Sequence, residues 1–150
     1  MTEDTIKNNL KKQIQTKRNN KSFNISSEEK KLLNLLIEKF GKNNIKTQFS
    51  DNRYPFLCDF YIEKLDLFIE YNGHWTHGSH PFDINNKNDI LKLNYWRDKS
   101  VNSRFYKNAI NVWTVRDTNK RQTAILNNLN YKELWSMKEA IEYINFLSAS

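Results

Sequence analysis

The chain has 150 residues, a formal net charge of +7, a pI near 9.4, 38% hydrophobic residues and a single cysteine. That length suits one domain around one core, and one cysteine excludes an intrachain disulfide and fits a reducing compartment, so the expected setting is intracellular and cytoplasmic. No apolar run reaches the roughly 18 residues of a membrane span and Met1–Leu10 lacks an apolar signal region, so no membrane partner is expected, while the positive balance favours a polyanion.

Residues 1–22 carry Lys7, Lys11, Lys12, Lys17, Arg18 and Lys21 against Glu3 and Asp4. Few large apolar side chains interrupt them. Residues 1–25 are therefore expected to form a flexible or weakly helical basic arm ahead of a folded domain over 26–150. Lys11, Lys12, Lys17 and Arg18 would follow a nucleic-acid backbone and make binding salt-dependent. The plain alternative is a solvated tail. Next, Ser26-x-x-Glu29 before Leu32, Leu33, Leu36 and Ile37 is a capping box, which predicts a helix over 27–40 that stops at Gly41. Capping alone would account for Glu29.

A strand is expected near 45–49. Residues 56–62 and 67–71 then show the Phe, Tyr, Ile and Leu content of half-buried strands. The four residues between them are too few for a crossover, so the strands should pair as an antiparallel hairpin. With Lys64 and Leu65 at the turn, Glu63 faces Asp66 and Asp59 faces Glu70. Asn72 points the same way, and Phe60, Ile62, Leu67 and Ile69 fill the other face together with Cys58. All three histidines, His74, His77 and His80, fall in the loop that follows, which Gly73, Gly78 and Pro81 mark as irregular. Trp75 in that loop is expected to be a core residue.

Farther on, a helix over about 84–99 would bury Ile90, Leu91, Leu93 and Trp96. A strand is expected at 109–115, reading Ala-Ile-Asn-Val-Trp-Thr-Val. A helix at about 118–127, capped by Asp117 or Thr118, a short strand near 131–135 and a last helix opened by Ser136-x-x-Glu139 complete the chain. A second basic cluster, Arg104, Lys107, Arg116, Lys120 and Arg121, flanks the strand at 109–115; Lys107, Arg116, Lys120 and Arg121 are the candidates there for phosphate contacts. This mixture of helix, hairpin and later strand indicates an α/β sandwich.

The chemistry sits in the hairpin. Two carboxylates held that close repel, and a divalent cation relieves the repulsion. Mg²⁺ takes oxygen ligands and often needs only one or two carboxylates beside a substrate phosphate. A histidine near such a centre can exchange a proton with water or a leaving group. The competing reading makes the two acids solvated residues on an exposed hairpin face. A His₃ or His–carboxylate zinc site is a further alternative, although His77-Gly-Ser-His80 lacks helical i, i+4 spacing.

The run Asp59…Glu70-x-Asn72 resembles the acidic core of the PD-(D/E)xK, or restriction-endonuclease-like, superfamily, with Asn72 where the catalytic lysine is usual. Asn72-Gly73-x-Trp75-x-His77-Gly78 is similar to the branch typified by the very-short-patch-repair endonuclease. Tyr71-Asn72-Gly73, His80-Pro81-Phe82-Asp83, Phe105-Tyr106-Lys107-Asn108-Ala109-Ile110 and Leu129-Asn130-Tyr131 look like phage homing endonucleases with an E-D-x-H-D pattern. The likeness spans roughly residues 22–135. It implies a mixed β-sheet flanked by helices, and a nuclease domain after the arm. It also implies Asp59 as main metal ligand, Glu70 as second ligand, His77 as general base or acid and Glu29 as a helix-borne brace. A final acidic residue would be Asp83 or Asp98, with Asn72 and His80 as further candidates.

The cofactor implied is Mg²⁺, with Mn²⁺ as the alternative ion. No structural zinc is expected, because the cysteines of the repair enzyme's zinc site are missing. The partner would be double-stranded DNA, cut by a homodimer or within a larger assembly, and the protein could be phage-encoded in a bacterial host. Nothing in the sequence reads an RNA 2′-hydroxyl. The competing functions are an inactive nuclease-fold DNA-binding module, a regulatory subunit, and a mismatch-repair-type nicking enzyme.

Overall fold

The computed structural model describes residues 26–148. The basic arm with Lys11, Lys12, Lys17 and Arg18 lies outside them. Helix α1 runs Ser27–Phe40, and Ser26 Oγ accepts the Glu29 N–H at 3.2 Å, as the capping box requires. Gly41 leads the chain out at φ 88°, in the half of backbone space that favours glycine. Strands β1 (Ile45–Asp51), β2 (Tyr54–Ile62) and β3 (Leu67–Tyr71) follow, and β4 (Asn130–Leu134) comes near the end. The sheet order is β1-β2-β3-β4, antiparallel at the first two junctions and parallel at the last.

The hairpin has the expected register. Phe60 pairs with Ile69, Tyr61 with Phe68 and Ile62 with Leu67, an alignment that sets Asp59 against Glu70. Its turn closes through Asp66 N–H to Glu63 O at 3.1 Å, with Asp66 left-handed at φ 47°. Phe60, Ile62, Leu67 and Ile69 pack with Leu32, Leu36, Ala140 and Ile144, so α1 and the last helix, α5 (Met137–Phe146), cover one face of the sheet. Ser136 Oγ caps α5 by accepting the Glu139 N–H. On the other face Tyr54, Tyr61 and Phe68 meet Ala124. Cys58 joins this second cluster rather than the Phe60 face, because strand alternation breaks where β2 and β3 part.

Residues 104–126 depart most from expectation. The strand expected at 109–115 is helix: α3 (Arg104–Asn111), a π-turn at Val112–Arg116 and α4 (Asp117–Leu126) run on without a break. The β-branched and aromatic content reads as strand, but Ala109, Val112 and Trp113 also recur at helical spacing. Ala109 and Trp113 pack on Leu93 and Trp96 of α2 (Lys87–Ser100). Tertiary burial overrides local preference here. Thr114 bonds back to Ile110 O at 2.7 Å beside the π-turn. A continuous helix has no start at Asp117 or Thr118, so neither residue is a cap.

Helix α2 begins at Lys87 rather than 84, because Asn86 Oδ1 accepts the N–H groups of Asn88 and Asp89. Among its expected core residues Leu93 and Trp96 are buried, whereas Leu91 is 66% exposed. Trp75 is also no core residue: it is 45% exposed. Among the described residues no helix is long and apolar enough to cross a membrane.

Candidate active site

The site opens where β2 and β3 stop exchanging backbone hydrogen bonds. Beyond the Phe60–Ile69 pair the two carboxylates take over: the Asp59 N–H donates to Glu70 Oε1 at 2.8 Å, and the Tyr71 N–H donates to Asp59 Oδ2 at 2.8 Å. The strands diverge there, and a cleft of about 330 Å³ forms. It is lined by Glu29 from α1, Asp59, Glu70 and Asn72 from the hairpin, His77 from the loop, and Asn108, Arg116, Asp117 and Lys120 from the α3–α4 helix.

Glu70 is 2% exposed and well provided with donors. Its Oε2 accepts from the Tyr54 hydroxyl at 2.8 Å and from Lys120 Nζ at 2.7 Å. Lys120 also reaches Leu57 O at 3.4 Å. Burial works against the Lys120 charge, but Glu70 and then Asp59 outweigh it, and its pKa ends above the ordinary lysine value. Burial, followed by the charges of Glu70 and Glu29, pushes the Asp59 carboxyl well above the usual aspartate range; Lys120 and the Tyr71 N–H only partly oppose this. Glu29 rises for the same reasons, first burial and then Glu70, against a smaller pull from His77. The cleft thus holds more negative charge than Lys120 neutralises.

His77 Nδ1 lies 2.6 Å from Asp117 Oδ2, and Asp117 is 4% exposed. A buried carboxylate on one ring nitrogen fixes the tautomer that donates from Nδ1 and leaves Nε2 free to accept. Gly78, at φ 74°, lets the loop turn directly after His77, and any Cβ there would run into the Trp113 ring. Asn72 is 5% exposed and sits 3.4 Å from Glu133 Oε2, so it lines the floor of the cleft rather than reaching across it.

The remaining expected residues sit elsewhere. His80 pairs with Asp89 at 2.5 Å, and Asp89 is 1% exposed. Asp83 gives its N–H to Asp89 Oδ2 and accepts the Asn85 N–H, so it shapes a turn. Asp98 is exposed on α2 and does not line the cleft. The acid brought to the site is Asp117, which no reading of spacing selects while its segment is taken for a strand and a cap. Among the basic candidates, Arg116 is exposed and lines the cleft, while Lys107 is exposed outside it. Arg121 is bound to Glu133 through two bonds of 2.9 and 2.8 Å. Lys120 lines the cleft with its side chain 16% exposed and bonds Glu70, so it belongs to the cleft's charge network rather than to the outer surface.

Among the described residues no group of three or more His, Cys, Asp or Glu side chains is placed to hold a metal ion. A two-carboxylate set, Asp59 with Glu70, still matches the protein's share of a Mg²⁺ shell completed by water and phosphate oxygens. Burial and mutual repulsion hold the Asp59 and Glu29 carboxyls above their usual range, and a small hard cation between them would favour their charged forms. Comparison with known proteins adds no identity: no family model, no curated protein and no solved structure matches the chain.

Proposed function

We propose that the chain is a metal-dependent endodeoxyribonuclease of the restriction-endonuclease-like fold, of the kind mobile elements or phages use as homing enzymes. One observation carries the reading: a single cleft gathers Asp59, Glu70, Glu29, Lys120 and the His77–Asp117 pair, with exposed Arg116 on its wall. An exposed cation at the wall and a lysine among buried acids suit a phosphodiester entering a site that is otherwise negative.

Asp59 and Glu70 would hold the Mg²⁺, which supplies charge neutralisation at the phosphate when bound. His77 Nε2, left as an acceptor by the bond to Asp117, takes a proton from the attacking water. Lys120 Nζ, fixed on Glu70 Oε2, places a positive charge where negative charge grows on the phosphoryl oxygens. Glu29 braces the cleft from the first turn of α1. The substrate is DNA by charge and by the resemblance, and the resemblance implies that it is double-stranded.

A supercoiled plasmid incubated with Mg²⁺, Mn²⁺ or EDTA tests the proposal. Wild type should relax or linearise it with either metal and not in EDTA. Asp59→Ala and His77→Ala should bind the plasmid and leave it intact. Cleavage by both variants at the wild-type rate would remove the site assignment, and an inert wild type would leave a nuclease-shaped binding module.

A further inference from the structure

A second cavity, of about 390 Å³, adjoins the cleft and shares three of its walls, Glu29, Tyr71 and His77. This size lies in the range of small-ligand sites, roughly 300–1,000 Å³. Its outer wall is Trp75, 45% exposed although indoles are costly to leave in water. The ring is held in place: Trp96 meets it edge-on at 5.5 Å and 89°, and Tyr106 lies 5.2 Å away. A braced, partly exposed aromatic offers a stacking surface at little cost in side-chain entropy. The cavity's other walls include two acids, Glu28 and Glu29, beside His74 and His77. Glu28 accepts the Tyr71 hydroxyl at 2.5 Å, which fixes its carboxylate at the cavity. Gly73 keeps the space open, because any side chain there would collide with the Tyr71 ring.

We infer that this cavity is a nucleobase subsite, in which an unpaired base next to the cut phosphate stacks on Trp75 and gives an amino hydrogen to Glu28. The inference rests on the nuclease reading only for the word "cut"; base binding itself does not need it. Glu28 and Glu29 repel phosphate, which favours a base over the backbone. Thymine's one donor on its pairing edge, N3–H, is flanked by two carbonyl oxygens that repel a carboxylate, so thymine suits Glu28 least. Cytosine, adenine and guanine each carry an exocyclic amine. The shared Glu29, Tyr71 and His77 walls place such a base one side chain away from the reacting phosphate.

Fluorescence anisotropy with short single-stranded oligo(dC), oligo(dA) and oligo(dT), in EDTA so that nothing is cut, tests the subsite on the full chain. Wild type should bind the amine-bearing strands about fivefold more tightly than oligo(dT), the scale of one hydrogen bond. Trp75→Ala should weaken binding of all three about tenfold, while Trp75→Phe keeps most of it. Glu28→Gln, which can both donate and accept, should level the base preference with affinity kept. Unchanged affinities in Trp75→Ala would overturn the proposal. So would a short oligolysine whose binding Trp75→Ala abolishes while the oligonucleotides are unaffected, since the cavity would then hold a basic side chain. The plasmid assay separates the two claims. An inert wild type with intact base preference defeats the nuclease and spares the subsite, and an active one without preference does the reverse.

Discussion

At the residue scale the site depends on who neutralises whom. In the proposed mechanism Asp117 is a positioning residue, acting through its bond to His77 Nδ1. Asp117→Asn keeps the shape but can donate to Nδ1, which turns the ring's acceptor away from the water. The expected loss is roughly a hundredfold in kcat with KM and DNA affinity held, the range of one general base. A merely structural role would instead move KM or the melting temperature. Asp59 has the opposite character: an acid buried among acids, it costs stability. Its carboxyl is pushed up by burial, then Glu70 and Glu29, so the folded state binds its proton more tightly than the unfolded chain does. A group raised in this way favours folding below its unfolded pKa, and that contribution is lost as pH rises through the folded value. Asp59→Asn can still accept the Tyr71 N–H. It should therefore gain about 1–2 kcal/mol over wild type at neutral pH, with the gain vanishing in acid, while cleavage is lost. Thermal melts of both proteins across pH check the sign; a variant less stable than wild type at neutral pH contradicts the account.

At the element scale two pieces hold the chemistry in place, the His77 loop and the unbroken helix from α3 to α4. The loop is pinned at Gly78, whose left-handed φ of 74° and contact with Trp113 leave no room for a methyl group. Gly78→Ala should cost about 1–3 kcal/mol from backbone strain and overpacking and displace His77. Chemical denaturation and the plasmid assay, read together, should fall in parallel. The helix shows why the sequence was legible only in part. Capping boxes at Ser26 and Ser136 and the alternation around Asp59 and Glu70 are local signals, and those elements appear where the sequence places them. Val112-Trp113-Thr114-Val115 sends a local signal for strand, yet Ala109 and Trp113 are buried against α2 partners that are distant in sequence. That one misreading hid Asp117: taken for a helix cap, it instead lies three residues from Lys120 on one face of an unbroken helix, and both line the cleft. Trp75 failed differently: composition gives its hydrophobicity but not the cavity beside it.

At the scale of the whole molecule, the net charge of +7 does not mean that every cation is available to DNA. Arg121 makes a paired bridge to Glu133, whose side chain is 8% exposed, and Lys120 is held on Glu70 inside the cleft, away from the outer surface. Among the described residues Arg116, exposed at the cleft, makes no salt bridge, and in the proposed function it is the cation left to meet a phosphate. These cations should therefore separate in a salt titration of DNA binding. Each phosphate contact contributes about 0.9 to the slope of log affinity against log salt. Arg116→Ala should flatten that slope by about one unit with the melting temperature unchanged. Arg121→Ala should leave the slope alone and cost about 1–3 kcal/mol, because it strands a mostly buried carboxylate. If the two variants flatten the slope equally, the Arg121–Glu133 bridge opens on binding and the basic surface is wider than the free protein displays. If neither does, phosphate contacts lie beyond this helix and Arg116 serves the cleft alone.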